Sequence, residues 1–138
     1  MPFGATVRWR PLVPIYVLGP GGQSRFFPRA VFDPCADDTV LAVGLATVLG
    51  ISLRPATKHI VRWRGQPYPL RFGDVELELS DDTGAVWRWP TVVSFSPAPM
   101  PYPILGTCGC LQFFDAQFRG EDRIVEIETN RSYPGTKK

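Results

Sequence analysis

Apolar and polar residues alternate along most of this chain with the period of strands. Val75, Leu77 and Leu79 are interleaved with Asp74, Glu76, Glu78 and Ser80, which predicts a half-buried strand. Leu12, Val13, Ile15, Tyr16 and Val17 form an earlier β-rich stretch, which Pro11 and Pro14 restrict to an edge or an early strand position. The turn residues Gly19-Pro20-Gly21-Gly22 then lead into Arg25–Phe32, so the two segments read as an antiparallel hairpin. Thr57–Trp63 and Tyr68–Phe72 predict a second hairpin with an exposed tip near Gly65. After the turn Asp81-Asp82-Thr83-Gly84, Ala85–Phe95 is a further strand. Ile104-Leu105-Gly106 is a short buried strand, and Arg123–Glu128 is the last.

Helical spacing is scarce. Val43, Leu45, Ala46, Val48 and Leu49 predict about two turns of helix, with Gly50 where a left-handed C-terminal cap belongs. A second short helix is expected over Cys108–Phe114. The four prolines from Pro97 to Pro103 predict a stiff, extended connector. Residues 1–132 therefore read as one mostly-β domain, and Tyr133–Lys138 as a loose tail. A faint pseudo-symmetry runs through it: an apolar strand, a turn and a helix at Phe32–Leu49, and the same order at Ile104–Phe114.

Composition narrows the classes of function. The chain of 138 residues carries 15 basic and 13 acidic side chains, and a net charge of +2 is too small to imply nucleic-acid or membrane-surface binding. Thirteen glycines and 15 prolines suit short strands and turns better than long helices. No apolar run approaches the ~18 residues of a membrane span, and Met1-Pro2-Phe3-Gly4 has no cationic flank of a signal peptide. The three cysteines then read as reduced thiols in a cytoplasmic protein. Cys108-Gly109-Cys110 is too tightly spaced for a zinc pair, so neither metal nor cofactor is expected. Trp63, Tyr68, Trp87 and Trp89 among arginines read as a sheet face with a solvated rim rather than as a nucleic-acid stacking platform.

The densest chemistry lies in Ala30-Val31-Phe32-Asp33, followed by Ala36-Asp37-Asp38-Thr39-Val40-Leu41. Taken alone, Asp33-Pro34 is an ordinary turn start, and Asp37 and Asp38 suit a helix N-cap and a solvated face. Together with Arg10-Pro11-Leu12-Val13 upstream and Ile104-Leu105-Gly106 downstream, however, the segment resembles the active-site region of retropepsin-like aspartic proteases, over about Arg10 to Thr129. That resemblance implies a small closed all-β barrel, mainly antiparallel, with one or two short helices. It also implies a dimer, either of two identical chains or mixed with a paralogue, that holds an extended peptide or protein substrate. Asp33 matches the catalytic aspartate, and Ala36 and Asp37 match the substrate-facing positions after it. The hairpin tip Trp63-Arg64-Gly65-Gln66 matches the flap over the substrate, and Ile104, Leu105 and Gly106 match the second signature. By the same resemblance Val7–Arg10 and Ile124–Glu128 fall at the dimer interface. The two signatures pack together in that fold, which would bring Cys35 near Cys108, although reduced core thiols remain the simpler reading.

Two positions depart from the family motif of Asp, then Thr or Ser, then Gly. Pro34 has neither the hydroxyl nor the backbone N–H that would bond across the dimer, and Cys35 places a Cβ and a sulfur where glycine allows close approach. Thr107 stands where retroviral members carry an arginine that pairs with the acid matching Asp37. Two functions follow from the same fold: an aspartic endopeptidase, or a non-catalytic dimeric module that binds peptide or protein.

Overall fold

The computed structural model describes residues 11–63 and 65–137. Val7–Arg10, expected at the interface, and Arg64, expected at the hairpin tip, lie outside them.

Strand β1 (Leu12–Leu18) pairs antiparallel with β2 (Ser24–Phe32) as the predicted hairpin. A short β3 (Val40–Ala42) leads into helix α1 (Val43–Leu49), which ends at Gly50 with φ 66°. The Gly50 N–H caps the carbonyls of Ala46 and Thr47, a left-handed conformation that glycine adopts without a steric penalty. Strand β4 (Arg54–Trp63) turns into the 15-residue β5 (Gln66–Ser80), with Trp63 opposite Gln66 at the tip. The sequence pattern divided this second arm at Gly73, but it runs through as one strand. Strands β6 (Val86–Ser96) and β7 (Ile104–Leu105) follow.

The pairings close into a ring. β1 joins β2 and β5, β5 joins β6, β6 runs parallel to β3, β3 pairs with β7, and β7 runs parallel to β2. The expected all-β, mainly antiparallel barrel with one short α-helix is therefore the observed architecture, and β4 lies on the outer edge of β5. Closure leaves no free edge along the ring. Its interior holds Ile15, Val17, Phe32, Leu41, Leu77, Trp89, Phe95 and Leu105, each at most 2% exposed. Removing each of these side chains from water contributes about 1.5–3 kcal/mol. In β5 the alternation holds: Val75, Leu77 and Leu79 point inward, and half-buried Glu78 takes an ion pair from Arg88 at 2.6 Å.

The end of the chain corrects two expectations. No α-helix forms over Cys108–Phe114; a single 3-10 turn spans Leu111–Phe113. Cys110, with φ −139° and ψ −74°, is outside helical geometry, and the Trp89 indole N–H holds the Gly109 carbonyl at 2.9 Å. Strand β8 (Phe114–Arg119) then pairs with β9 (Ile124–Thr129) in a separate two-stranded sheet. The tail is not loose. Tyr133 packs against Trp89 and Phe114, and β10 (Thr136–Lys137) pairs with Trp87 and Arg88 of β6.

Candidate active site

Asp33 is the first residue after β2, and the barrel fixes its backbone through β7. Val31 and Phe32 pair with Ile104 and Leu105, and the Asp33 N–H donates to the Leu105 carbonyl at 3.0 Å. The chain then turns at once, with the Ala36 N–H donating to the Asp33 carbonyl at 3.1 Å. The Cys35 N–H donates to Asp33 Oδ1 at 3.0 Å, an Asx-type turn that holds one carboxylate oxygen against the backbone.

The loop after Asp33 is bound to the segment after β7 by a ladder of backbone bonds. Thr107 N–H donates to the Ala36 carbonyl at 2.9 Å, Cys108 N–H to the Asp37 carbonyl at 2.8 Å, and Thr39 N–H to the Cys108 carbonyl at 3.0 Å. Thr39, fully buried, also accepts the Gly106 N–H on its hydroxyl at 3.3 Å. Gly106 sits so close to the other loop that a Cβ there would overlap the Asp38 carbonyl oxygen, which makes glycine obligatory at this crossing. The carbonyls of Gly106 and Thr107 accept from Leu111 and Gln112 at 2.9 Å each, so the 3-10 turn seals the far side.

The two predicted signatures, Asp33–Asp37 and Ile104–Gly106, are thus brought into one unit. Asp33 and Ala36 are half-buried, whereas Pro34, Cys35 and Asp37 are exposed. Among the described residues no arginine or lysine pairs with Asp37. Cys35 and Cys108 are exposed, Cys110 is buried, and all three thiols are free. Burial pushes the Cys110 thiol well above its usual range.

Asp33 also lines an apolar cavity of about 330 Å³ with Val31, Val40, Ile104, Met100 and Tyr102. Met100 and Tyr102 belong to the proline-rich connector, which the sequence presents only as a stiff link. Its position directly before the second signature was the available sign that it would lie beside Asp33. The hairpin tip is exposed at Gly65 and Gln66, and neither residue lines this cavity.

Chemically, one chain presents one carboxylate at the mouth of an apolar cleft. Sharing a proton between carboxylates needs a second one about 3 Å away. No group of three or more His, Cys, Asp or Glu among the described residues could hold a metal ion. No helix among them is long and apolar enough to cross a membrane.

No protein-family model matches the chain, and no curated protein matches it. Among solved structures, EIAV protease complexed with the inhibitor HBY-793 is similar, with 15% sequence identity and a TM-score of 0.47 over 77% of this chain and 88% of that chain.

Proposed function

We propose that this chain is a retropepsin-like aspartic endopeptidase domain that acts as a dimer on extended polypeptide. The observation that carries this reading is the anchoring of Asp33. Its N–H is fixed to Leu105, one carboxylate oxygen is held by Cys35, and Gly106 wedges the two signature loops together. Such rigidity is of little use to a surface turn acid, but a carboxylate that must meet its own counterpart across a two-fold axis requires it.

In the proposed dimer the two Asp33 carboxylates lie together and hold one proton between them. Aspartic proteases are the standard instance of that behaviour. The ionised member accepts a proton from a water molecule, which attacks the peptide carbonyl. The protonated member donates to the carbonyl oxygen as negative charge develops there. The apolar wall of Val31, Ile104 and Tyr102 excludes water and receives an apolar side chain of the substrate. In this reading Gly65 and Gln66, exposed at the hairpin tip, cover the bound strand. Three free thiols suit a reducing, cytoplasmic setting.

A second reading keeps the dimer and the groove without catalysis, and one specific observation favours it. Pro34 is exposed at the turn and has no hydroxyl or N–H to bridge to a partner chain, so each catalytic loop must be held by its own chain alone. Peptide-library cleavage between pH 4 and 7 separates the two readings. Turnover that disappears in Asp33→Asn establishes the endopeptidase, and saturable peptide binding without turnover establishes the binding module.

A further inference from the structure

Of the 15 prolines in the chain only Pro34 follows an aspartate. An aspartyl carboxyl can reach its own main-chain carbonyl carbon through a five-membered ring. Proline makes the following bond a tertiary amide, whose nitrogen is more basic than that of an ordinary peptide and leaves more readily once protonated. We propose that the Asp33 side chain cuts its own chain at the Asp33–Pro34 bond, an intramolecular activity that needs neither a second chain nor a bound substrate.

The geometry of the turn supports each part of this reaction. The Ala36 N–H donates to the Asp33 carbonyl oxygen at 3.1 Å, so a donor already stands where negative charge develops when that carbonyl is attacked. The Cys35 N–H donates to Asp33 Oδ1 at 3.0 Å. That bond closes a ring containing the Asp33–Pro34 peptide and leaves Oδ2 as the nucleophile. The Asp33 N–H is fixed to the Leu105 carbonyl at 3.0 Å, so the reacting residue is held from its other side as well. Pro34 is exposed, which lets solvent reach the nitrogen that must take up a proton. The other titratable side chains at the turn are Cys35 and Asp37, both exposed, and Tyr102 lines the cleft with Asp33. No lysine or arginine lines that cleft, so no cation there holds the carboxylate back.

In the first step Oδ2 bonds to the Asp33 main-chain carbonyl carbon and forms a cyclic anhydride. The bond from that carbon to the Pro34 nitrogen breaks, its electron pair stays on nitrogen, and nitrogen takes a proton from solvent. One water molecule then opens the anhydride. The products are residues 1–33, ending in Asp33 with free α- and β-carboxyls, and residues 34–138, beginning with the Pro34 amine. The β1–β2 hairpin stays paired with β5 and β7, so the nicked chain keeps its barrel while a second carboxyl appears at the mouth of the cleft.

The test is incubation of the full chain at about pH 4, with fragments followed by mass spectrometry and the fold by tryptophan fluorescence. Fragments 1–33 and 34–138 are expected, with a first-order rate that dilution does not change. The folded protein should cleave at least about tenfold faster than the same chain in concentrated urea, because only the folded turn holds the reacting groups together. Asp33→Ala, which lacks the nucleophile, and Pro34→Ala, which makes the leaving group a secondary amide, should each slow cleavage about tenfold or more. A rate that falls on dilution would assign the cut to one molecule acting on another and overturn the proposal. So would the absence of these fragments, a rate as high in urea as in the folded protein, or undiminished cleavage in Asp33→Ala. The comparison with urea needs no variant to fold.

Discussion

Gly106 lies so close to Asp38 that a Cβ added to the glycine would overlap the aspartate's backbone carbonyl oxygen. This contact joins two segments far apart in sequence, and the Thr39 hydroxyl that receives the Gly106 N–H reinforces it. The placement of Asp33 beside its cleft depends on that crossing, because Leu105, which binds the Asp33 N–H, is the residue before Gly106.

Gly106→Ala should therefore destabilise the domain by more than about 2 kcal/mol, since the overlap is with backbone and cannot be relieved by rotating a side chain. Urea titration followed by tryptophan fluorescence measures this. An alanine variant as stable as the parent would show that the two loops do not pack as described.

The docked tail gives a second prediction. The Tyr133 hydroxyl is 2.6 Å from the Thr136 carbonyl and 3.2 Å from that of Arg88, and its ring stacks edge-on against Trp89. Tyr133→Phe should cost about 1 kcal/mol. Truncation after Ser132 should cost more, about 2–3 kcal/mol, because the ring is lost as well. Equal stability with and without residues 133–138 would restore the picture of a loose tail.

The contrast between barrel and chain end shows what the sequence made legible. Period-2 alternation at Val75, Leu77 and Leu79 and the glycine cap at Gly50 are local signals, and both elements formed where they pointed. The pairing of β7 with both β2 and β3 is not local: Ile104 and Leu105 are two residues that find their partners only in three dimensions, and the family resemblance alone indicated them. The helix expected over Cys108–Phe114 does not form because a tertiary anchor that local apolar content does not reveal, the bond from Trp89 to Gly109, holds the segment beside Cys110, whose backbone is outside helical geometry. Ala116 and Phe118 alternate with Asp115, Gln117 and Arg119, so the strand pattern of β8 is present in the sequence. The burial of the Ser94 hydroxyl was not readable, because such a serine is indistinguishable from any other until its surroundings are known.

Thiol chemistry gives a third prediction. Cys35 and Cys108 are exposed, whereas Cys110 is fully buried with its thiol pushed up by desolvation. A thiolate is the reactive form, so two cysteines should label rapidly in the native protein and Cys110 only on unfolding. Mass spectrometry after brief alkylation reads this directly. Labelling of Cys110 at the rate of the other two would contradict the packing of the 3-10 turn beneath Trp89.

Asp33 is proposed as a catalytic carboxylate that Pro34 and Cys35 impair, and the most direct test is peptide cleavage by the double variant Pro34→Thr/Cys35→Gly, made on protein whose mass in solution is also determined. The threonine offers hydroxyl bonds across the two-fold axis, worth on the order of 1 kcal/mol each, and the glycine lets the two carboxylates approach and share a proton. A tenfold gain needs only about 1.4 kcal/mol of transition-state stabilisation. The proposed function requires a dimer that cleaves at least about tenfold faster than the parent and loses all activity once Asp33→Asn is added. A double variant that folds and dimerises but still cleaves nothing, or one that remains a 15.4 kDa monomer at high micromolar concentration, would contradict it.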